Sequence, residues 1–557
     1  MANAQPQSVP AHRSNPSHDT DVIIVGAGFA GLYLIHRLRG LGFTVKAFEQ
    51  GGDVGGTWYW NRYPGARCDV ESMQYSFSFD DELQQTWDWS ERYAPQPEIL
   101  RYAGHVADRY DLRRDITFDT AVTSAVFDAR AVRWTVTTST GEAVTARHVV
   151  LATGCLSNAR TPQFRGLEDF QGDVYHTAHW PHRPVDFSGR RVGLIGTGSS
   201  AIQSVPLIAE QAMSLTVFQR TANFSVPARN APLTDDERRA FRDDYAEIRR
   251  RAREEFRNGI VQPLPDRGAL DDPDDVRRGK YEQRWASGGL TFMGVYNNLV
   301  LDQQANDTAA AFIRAKIAEI VQDPHTARLL QPDSHPVGTK RICVDTDYYA
   351  TFNHPHVKLV DVRAHPIERI LPHAVRAGGQ DYEIDALVLA TGFDAMTGSV
   401  ARIDIRGRSG QTLNDKWAEG PRTYLGLMSA GFPNLFIVTG PGSPSVLSNM
   451  MVSIEQHVDW IADCLAYMRD RSVATMEATH PAEDKWTAHV DETAAGTLYP
   501  QANSWYMGAN IPGKPQSFMP YCGGVGAYRR ICNEVAANDY EGFAMTVVSQ
   551  PRVTAAS

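Results

Sequence analysis

The chain has 557 residues, more than a single hydrophobic core usually accommodates, so we expect more than one domain. Hydrophobic residues make up 42% and charged residues 22% of the sequence, which is ordinary for a globular protein. The formal net charge of −10 argues against nucleic acid or an anionic membrane surface as the main partner.

The cysteines and the N-terminal segment indicate the compartment. The six cysteines form no Cys-x-x-Cys pair, which disfavours a zinc ribbon and a dithiol reductase. Residues 1–20 are polar, and no run of about 18 apolar residues offers a membrane span. We therefore expect a disordered tail over 1–20 and a cytoplasmic protein. No metal site is expected, because the histidines have no accompanying cysteine cluster or His-Glu-x-x-His motif.

The first predicted βαβ unit follows this tail. The apolar run 21–25 predicts a buried parallel strand, and 26–31 has the pattern G-x-G-x-x-G before a helix that extends to about Arg39. The glycines permit a tight turn and let a pyrophosphate approach the amides at the helix N-terminus. The next strand ends at Glu49, whose carboxylate suits the hydroxyls of a ribose. Alternating runs over 122–151 then predict a small antiparallel sheet.

A second βαβ unit begins at 191–195 and continues through Gly196-Thr-Gly-Ser-Ser-Ala201. Glu49 lies 23 residues after Gly26, whereas the residue at the same distance from Gly196 is Gln219, followed by Arg220. Loss of the acid and gain of a guanidinium favour a 2′-phosphate, hence NADP over NAD. A solvated surface arginine is the alternative interpretation.

These patterns predict an interleaved domain order. The segments 21–155 and 393–557 form one dinucleotide-binding domain, 156–224 and 336–392 form the second, and 225–335 is a helical insertion in the second domain. Within the insertion, the basic run 249–253 is expected to be a solvated helix face.

Two longer motifs are more specific than either glycine turn. Segment 170–181 has the spacing F-x-G-x-x-x-H-x-x-x-W-P, formed by Phe170, Gly172, His176 and Trp180. Segment 55–69 contains Trp58 and ends in Asp69. A linker with buried rings, and an Asp that accepts hydrogen bonds in a turn, are the alternative interpretations. Together the motifs resemble type I Baeyer–Villiger monooxygenases, which are class B flavoprotein monooxygenases, and most of all the branch with phenylacetone, steroid and cyclohexanone monooxygenases.

The resemblance covers about 20–545 and implies a fold and a reaction. The fold class is α/β, with two interleaved Rossmann-like domains for FAD and NADP. NADPH would reduce FAD, and O2 would form a C4a-peroxyflavin that attacks a ketone and gives an ester or lactone, water and NADP⁺. Bulky aryl, cyclic or long-chain ketones are the expected substrates, and sulfoxidation of thioethers is the expected side reaction. The expected oligomeric state is a monomer.

The resemblance also implies which residues take part in catalysis and in the binding of FAD, NADP and substrate. A peroxide anion needs a cation that keeps its proton, and an arginine meets this requirement. Arg341 would be that cation and Asp69 its fixed counter-ion, although a Lys340-Arg341 pair alone also suits a surface patch. The implied FAD-binding residues are Gly26, Gly28, Phe29, Gly31, Glu49, Gln50, Gly56, Thr57, Trp58, Asp69, Tyr75, Val122 and Met450. The implied NADP-binding residues are Gly196, Thr197, Gly198, Ser199, Ser200, Gln203, Arg220, Thr221, Lys340, Arg341 and Trp505. The implied substrate-pocket residues are Val70, Cys155, Leu156, Ser445, Val446, Leu447 and Trp505.

Three other activities stay open at this point. An N- or S-oxygenating flavin monooxygenase would not need the arginine. The second alternative is an NADPH-dependent reductase without oxygen insertion, which would reduce flavin, a disulfide or a quinone, and the missing Cys-x-x-Cys pair counts against a disulfide or quinone reductase. A non-catalytic dinucleotide-binding protein would show no NADPH-dependent oxygen uptake with any ketone.

Overall fold

The protein is described from a computed structural model of residues 19–547. The segments 1–18 and 548–557 lie outside the described residues, and so does the corresponding part of the predicted tail. The β-strands are, in chain order, β1 (Asp19–Val25), β2 (Val45–Phe48), β3 (Ile116–Thr117), β4 (Val122–Asp128), β5 (Arg133–Thr138), β6 (Ala143–Leu151), β7 (Asp173–His176), β8 (Arg191–Ile195), β9 (Ser214–Gln219), β10 (Ser225–Pro227), β11 (Cys343–Asp345), β12 (Val357–Asp361), β13 (Ile367–Leu371), β14 (Ala374–Ala377), β15 (Gln380–Glu383), β16 (Ala386–Leu389), β17 (Asp404–Arg406), β18 (Leu435–Ile437), β19 (Val473–Ala478) and β20 (Phe543–Val547). The α-helices are α1 (Phe29–Gly40), α2 (Thr57–Trp60), α3 (Asp81–Thr86), α4 (Gln96–Arg109), α5 (Ser199–Gln211), α6 (Asp235–Asp243), α7 (Tyr245–Glu254), α8 (Asp274–Ser287), α9 (Gln303–Ile320), α10 (Pro324–Leu330), α11 (Tyr348–Thr351), α12 (Leu413–Lys416), α13 (Met450–Asp470), α14 (His480–Ala495) and α15 (Val525–Ala537).

The larger sheet has eight strands in the order β17-β4-β5-β6-β1-β2-β3, with β18 as a further partner of β6. β1 is parallel to both of its neighbours, and Ile23 and Ile24 at its centre are fully buried. β6 is antiparallel to β5 over 143–146, and it is parallel to β1 over 145–151 and to β18 over 149–151. The antiparallel strands predicted over 122–151 are therefore continuous with the parallel sheet, because one long strand belongs to both parts.

The first strand begins two residues before the predicted start. Asp19 and Thr20 pair with Thr145 and Ala146 of β6. Asp19 also forms an ion pair with Arg133, with 2.5 Å between N and O. Because these contacts fix both residues to the sheet, the prediction of a disordered tail is wrong for 19 and 20.

The second sheet consists of five parallel strands in the order β12-β9-β8-β16-β7. Between β9 and β12 the chain leaves this sheet for a long helical region, and after β16 it returns to the larger sheet with β17 and β18. The predicted fold class, two interleaved Rossmann-like units, is confirmed. The domain boundaries drawn from the sequence stay a prediction.

The range 225–335 contains α6 to α10 but begins with a strand, because β10 pairs in parallel with β11. The solvated helix face predicted for 249–253 is wrong for Arg249, which is 5% exposed. Its guanidinium donates to the carbonyl oxygens of Met73 and Gln74, so these two residues supply the hydrogen-bond acceptors that water would provide on a solvated face. No helix within 19–547 is long and apolar enough to cross a membrane.

Candidate active site

One cavity of about 1080 Å³ lies at the carboxyl ends of the parallel strands of both large sheets. Its walls include Val25 and Phe48 at the ends of β1 and β2, and Ile195 and Phe218 near the ends of β8 and β9. Ligands of open α/β sheets bind at this edge, outside the carboxyl ends of the strands. The cavity is therefore where two dinucleotides would meet.

The first glycine turn leaves no room for a side chain at Gly26. Gly26 has φ +105°, and a Cβ there would lie 2.6 Å from Ala152 O. Gly28 precedes α1, whose N-terminus has no capping side chain and no acid in its first turn. The free amides of this turn border the cavity, so the turn fits the pyrophosphate of FAD.

Glu49 is 5% exposed and lines the cavity at the end of β2. The backbone N–H groups of Ala27 and Gly51 donate to its two carboxylate oxygens at 2.7 and 2.8 Å. Burial raises the pKa of Glu49, and these amides oppose the shift. Each oxygen keeps a second acceptor site, which fits a ribose hydroxyl.

The second glycine turn repeats this construction. Gly196 has φ +128°, and a Cβ there would lie 2.3 Å from Ala390 O. A Cβ on Gly198 would meet open space on the cavity side, and α5 likewise begins without a capping side chain or an acid. Ala201, in the third glycine position, is fully buried, since that position only needs a small side chain.

Basic residues replace the acid at the end of β9. Gln219 points into the protein, where its Nε2 donates to Leu329 O at 2.7 Å. Arg220 and Lys340 both line the cavity. Burial lowers the pKa of Lys340, and the neighbouring charge of Arg220 lowers it further. This end of the cavity suits an anion, in agreement with the predicted 2′-phosphate site.

Arg341 and Asp69 form a bidentate ion pair in the cavity wall. Nε and Nη2 of Arg341 donate to the two carboxylate oxygens of Asp69 at 2.6 and 2.7 Å, and Nη1 donates to Val446 O at 2.8 Å. The two side chains are 26% and 21% exposed. Burial lowers the pKa of Arg341, but the charge and hydrogen bonds of Asp69 outweigh it and raise the pKa above its ordinary value. The guanidinium is thus a permanent cation with a fixed orientation.

The two dinucleotide units also contact each other beside this pair. The hydroxyl of Tyr63 donates to Gln203 Oε1 at 2.9 Å, and Gln203 Nε2 donates to Arg67 O at 3.2 Å. Gly65 has φ +80°, and a Cβ there would lie 2.3 Å from Gln203 O. The segment that ends in Asp69 is therefore packed directly against α5 of the second unit.

The four residues of the motif at 170–181 lie outside the cavity and fix the position of the linker by packing and hydrogen bonds. A Cβ on Gly172 would lie 2.3 Å from Asp385 O, and Trp180 is 5% exposed. His176 Nδ1 accepts from Ala178 N–H at 3.0 Å, so its proton is on Nε2, which donates to Arg160 O at 3.0 Å. Phe170 packs on a buried hydrophobic cluster that includes Ile195 of β8 and Leu387 of β16.

Most of the site residues predicted from the sequence line this one cavity. Those that do so are Gly26, Gly28, Phe29, Glu49, Gln50, Gly56, Thr57, Trp58, Asp69, Val70, Tyr75, Val122, Cys155, Leu156, Gly196, Thr197, Gly198, Ser199, Ser200, Gln203, Arg220, Thr221, Lys340, Arg341, Val446, Met450 and Trp505. Their individual roles stay predictions.

Three predicted residues lie elsewhere. Ser445 is fully buried behind the wall, with its Oγ 3.8 Å from Met396 Sδ, and Leu447 packs into the core next to it. Gly31 faces the preceding strand, where a Cβ would lie 2.0 Å from Gly26 O, so it serves helix–strand packing. These three residues do not line the cavity, and their roles in binding stay predictions. Cys155 does line the cavity, and burial raises the pKa of its thiol, which leaves it neutral.

Sequence reasoning missed several polar residues of the wall. The buried side-chain oxygens of Asn158, Asn223, Ser504 and Asn510 have no hydrogen-bond partner and border the cavity. Arg160 borders it too. Asn223 follows β9, and Asn158 and Arg160 follow β6. Polar residues that come directly after parallel strands are a sequence signal for a ligand site, and this signal would have identified these three residues. Within 19–547, no group of three or more His, Cys, Asp and Glu side chains could hold a metal ion.

Comparisons with known proteins agree with this geometry. A family model described as pyridine nucleotide-disulphide oxidoreductase matches residues 23–237. A phenazine N-monooxygenase of Lysobacter antibioticus is 43% identical over 94% of this chain and 96% of its own length. A Baeyer–Villiger monooxygenase of Pseudooceanicola batsensis is 42% identical over 94% of this chain and 95% of its own length. A solved steroid monooxygenase structure, oxidised and bound to NADP, has a TM-score of 0.91 and 54% identity, covering 95% of this chain and 99% of that one.

Proposed function

Because this chain belongs to the FAD- and NADPH-dependent Baeyer–Villiger monooxygenase family, we propose that it converts a ketone and O2 into an ester or lactone. When bound, NADPH supplies the hydride that reduces FAD, and reduced FAD supplies the reaction with O2. The protein's part is to bind the three reactants next to one another and to stabilise the charge that develops. A monomeric state and a cytoplasmic location stay predictions.

The observation that carries this proposal is the geometry of Arg341. A guanidinium has five N–H donors. Three of them donate to Asp69 and to Val446 O, which leaves one N–H on each terminal nitrogen for a ligand. Two donors in a fixed fork fit an anionic oxygen that forms when a carbonyl carbon is attacked.

Asp69 fixes the orientation of these two N–H donors. With both carboxylate oxygens engaged, the planar guanidinium cannot rotate about its Cδ–Nε bond without losing two charge-assisted hydrogen bonds. The pair is mostly shielded from water, where the charge of Arg341 acts more strongly on a nearby oxyanion than it would in bulk solvent. A preorganised cation of this kind avoids reorganisation during the reaction.

The walls next to Arg341 indicate the substrate class. Val70, Cys155, Leu156, Val446 and Trp505 give an apolar surface within a cavity of about 1080 Å³, which must also hold parts of two dinucleotides. Such walls favour ketones with aryl, cyclic or long alkyl substituents, since burial of that surface drives binding. Thioethers of the same shape are expected to be sulfoxidised as well.

The test uses the FAD-loaded protein with phenylacetone and cyclohexanone. Oxygen uptake, NADPH oxidation and ester or lactone, separated by gas chromatography, are measured together. The wild type should form product in proportion to the NADPH oxidised, whereas Arg341→Ala should oxidise NADPH without product. Arg92→Ala, which removes an arginine paired with Glu71 outside the cavity, is the control. Undiminished ester formation by Arg341→Ala would contradict the proposed role.

A second candidate function is oxygen transfer to nitrogen. It is favoured by the 43% identity to a phenazine N-monooxygenase over almost the whole chain. Attack by a nitrogen lone pair creates no oxyanion on the substrate, so this reaction does not need Arg341. If phenazine is N-oxidised, and Arg341→Ala keeps that activity while no ketone is converted, N-oxygenation replaces the first proposal.

A further inference from the structure

The cavity is positively charged although the chain is acidic overall. Its two acidic residues are Glu49 and Asp69, and its basic residues are Arg67, Arg160, Arg220, Lys340, Arg341 and Arg402. Arg67 is paired with Glu91 at 3.0 Å, and Arg341 is paired with Asp69. The other four basic side chains have no ion pair within the described residues. Cations collected without counter-ions indicate that the ligand brings the negative charge.

Arg160, Arg220 and Lys340 belong to one end of this cavity. Burial lowers the pKa of Arg160 and of Lys340, and for both the second cause is the charge of Arg220. Arg220 is therefore the neighbour that they share. The charge of Arg220 opposes the charged form of Arg160 and of Lys340, and a phosphate monoester, with a charge of about −1.5 to −2 near pH 7, would offset this repulsion.

The backbone around Arg160 is fixed on both sides. Its N–H donates to Gly392 O at 2.9 Å, and its carbonyl accepts from His176 Nε2 at 3.0 Å and from Thr391 Oγ1 at 2.5 Å. All these contacts involve the main chain of Arg160 and none its guanidinium. A substitution at 160 therefore leaves them in place and changes only what the side chain presents to the cavity.

We propose that Arg160 is a third cation of the 2′-phosphate subsite and contributes to the selection of NADP(H) over NAD(H). This inference rests on the proposed use of NADPH by the same cavity. Apolar residues adjoin the cations, since Phe164, Val362 and Ile367 line the cavity near the end of β9 and pack on the same buried cluster. A basic end next to an apolar wall fits a 2′-phosphorylated adenosine, whereas the 2′-hydroxyl of NAD(H) offers Arg160 no charge.

Binding to the FAD-loaded, oxidised protein provides the test, without turnover. The Kd values for NADP⁺ and for NAD⁺ are measured by isothermal titration calorimetry for the wild type and for Arg160→Ala, Arg160→Lys, Arg220→Ala and Arg165→Ala. Arg165 is the matched control, because it lies in the same segment, is exposed and does not line the cavity.

Arg160→Ala should raise the Kd for NADP⁺ about tenfold, equivalent to about 1.4 kcal/mol, and change that for NAD⁺ less than twofold. Arg160→Lys should restore part of the loss, and Arg165→Ala should resemble the wild type. The salt dependence of NADP⁺ binding should also become weaker in Arg160→Ala, because one charge contact is removed.

Two results would overturn the proposal in different ways. If Arg220→Ala selectively weakens NADP⁺ but Arg160→Ala affects neither coenzyme, or both equally, Arg160 is not part of the subsite and the proposed function stands. If the wild type binds both coenzymes alike and Arg220→Ala is not selective either, the assignment of NADPH fails, and the inference about Arg160 fails with it.

Discussion

Replacement of Asp69 by alanine tests the central ion pair most directly. In the wild type, Arg341 has two anchors, the carboxylate of Asp69 and the carbonyl of Val446. The variant keeps only the single 2.8 Å contact to Val446 O, so the guanidinium gains rotational freedom and loses its counter-ion. The positive charge remains, but its position relative to a bound ketone is no longer fixed.

The size of the effect follows from the two contacts that are lost. Hydrogen bonds to charged groups contribute about 1.5–3 kcal/mol each, and about a quarter of both side chains is exposed, so the lower part of this range applies. Loss of a preorganised electrostatic stabiliser reduces kcat by roughly 10²–10³. We therefore expect kcat/KM for ester formation to fall about 100-fold in Asp69→Ala, and at least as much in Arg341→Ala.

The assay is a double-mutant cycle in ester formation with the FAD-loaded protein. If Asp69 acts through Arg341, the double variant Asp69→Ala/Arg341→Ala should be no slower than Arg341→Ala, because residues that act as a unit are strongly non-additive. Glu71→Ala is the control: Glu71 accepts two hydrogen bonds from Arg92, with similar exposure, outside the cavity. A double variant whose loss equals the product of the single losses would refute the idea that Asp69 works by positioning Arg341.

Two further predictions concern stability. Burial raises the pKa of Asp345 from 3.8 to about 6, so the folded state binds this proton more tightly than the unfolded chain does. The free energy of unfolding should therefore fall by ~2 kcal/mol between pH 4 and pH 7. Asp345→Asn removes this contribution, so its Tm should rise relative to that of the wild type as the pH increases, and a constant difference in Tm would contradict the prediction. In Gly172→Ala the new Cβ would lie 2.3 Å from Asp385 O, so the free energy of unfolding measured in urea should fall by about 1–3 kcal/mol. The control is Gly279→Ala, which has open space around its Cβ and should be neutral or stabilising. Equal changes in both variants would contradict the steric argument.

Local patterns predicted the two nucleotide-binding turns well, because each turn is specified within a few residues. Gly26 and Gly196 have the positive φ that the G-x-G pattern predicts, and each is followed by a helix at the expected place. The ion pair of Asp69 and Arg341 spans 272 residues, so no local pattern predicts it. Residues alone left Asp69 as a turn acceptor and Arg341 as part of a surface patch, and only the family resemblance brought them together.

Arg249 and Arg250 show why the burial of polar residues was harder to predict. They are adjacent in one basic run, yet Arg250 is on the outer face of α7 with Glu247, whereas Arg249 is buried against 73–76. Successive residues on a helix point about 100° apart, so the two side chains lie in different surroundings although they are neighbours in sequence. Arg249 is tolerated there because carbonyl oxygens of a distant loop accept its N–H groups. The same reasoning supports the proposal for the cavity: Arg160 and Lys340 are half-buried and have no ion pair within 19–547, and the proposed phosphate would be their partner.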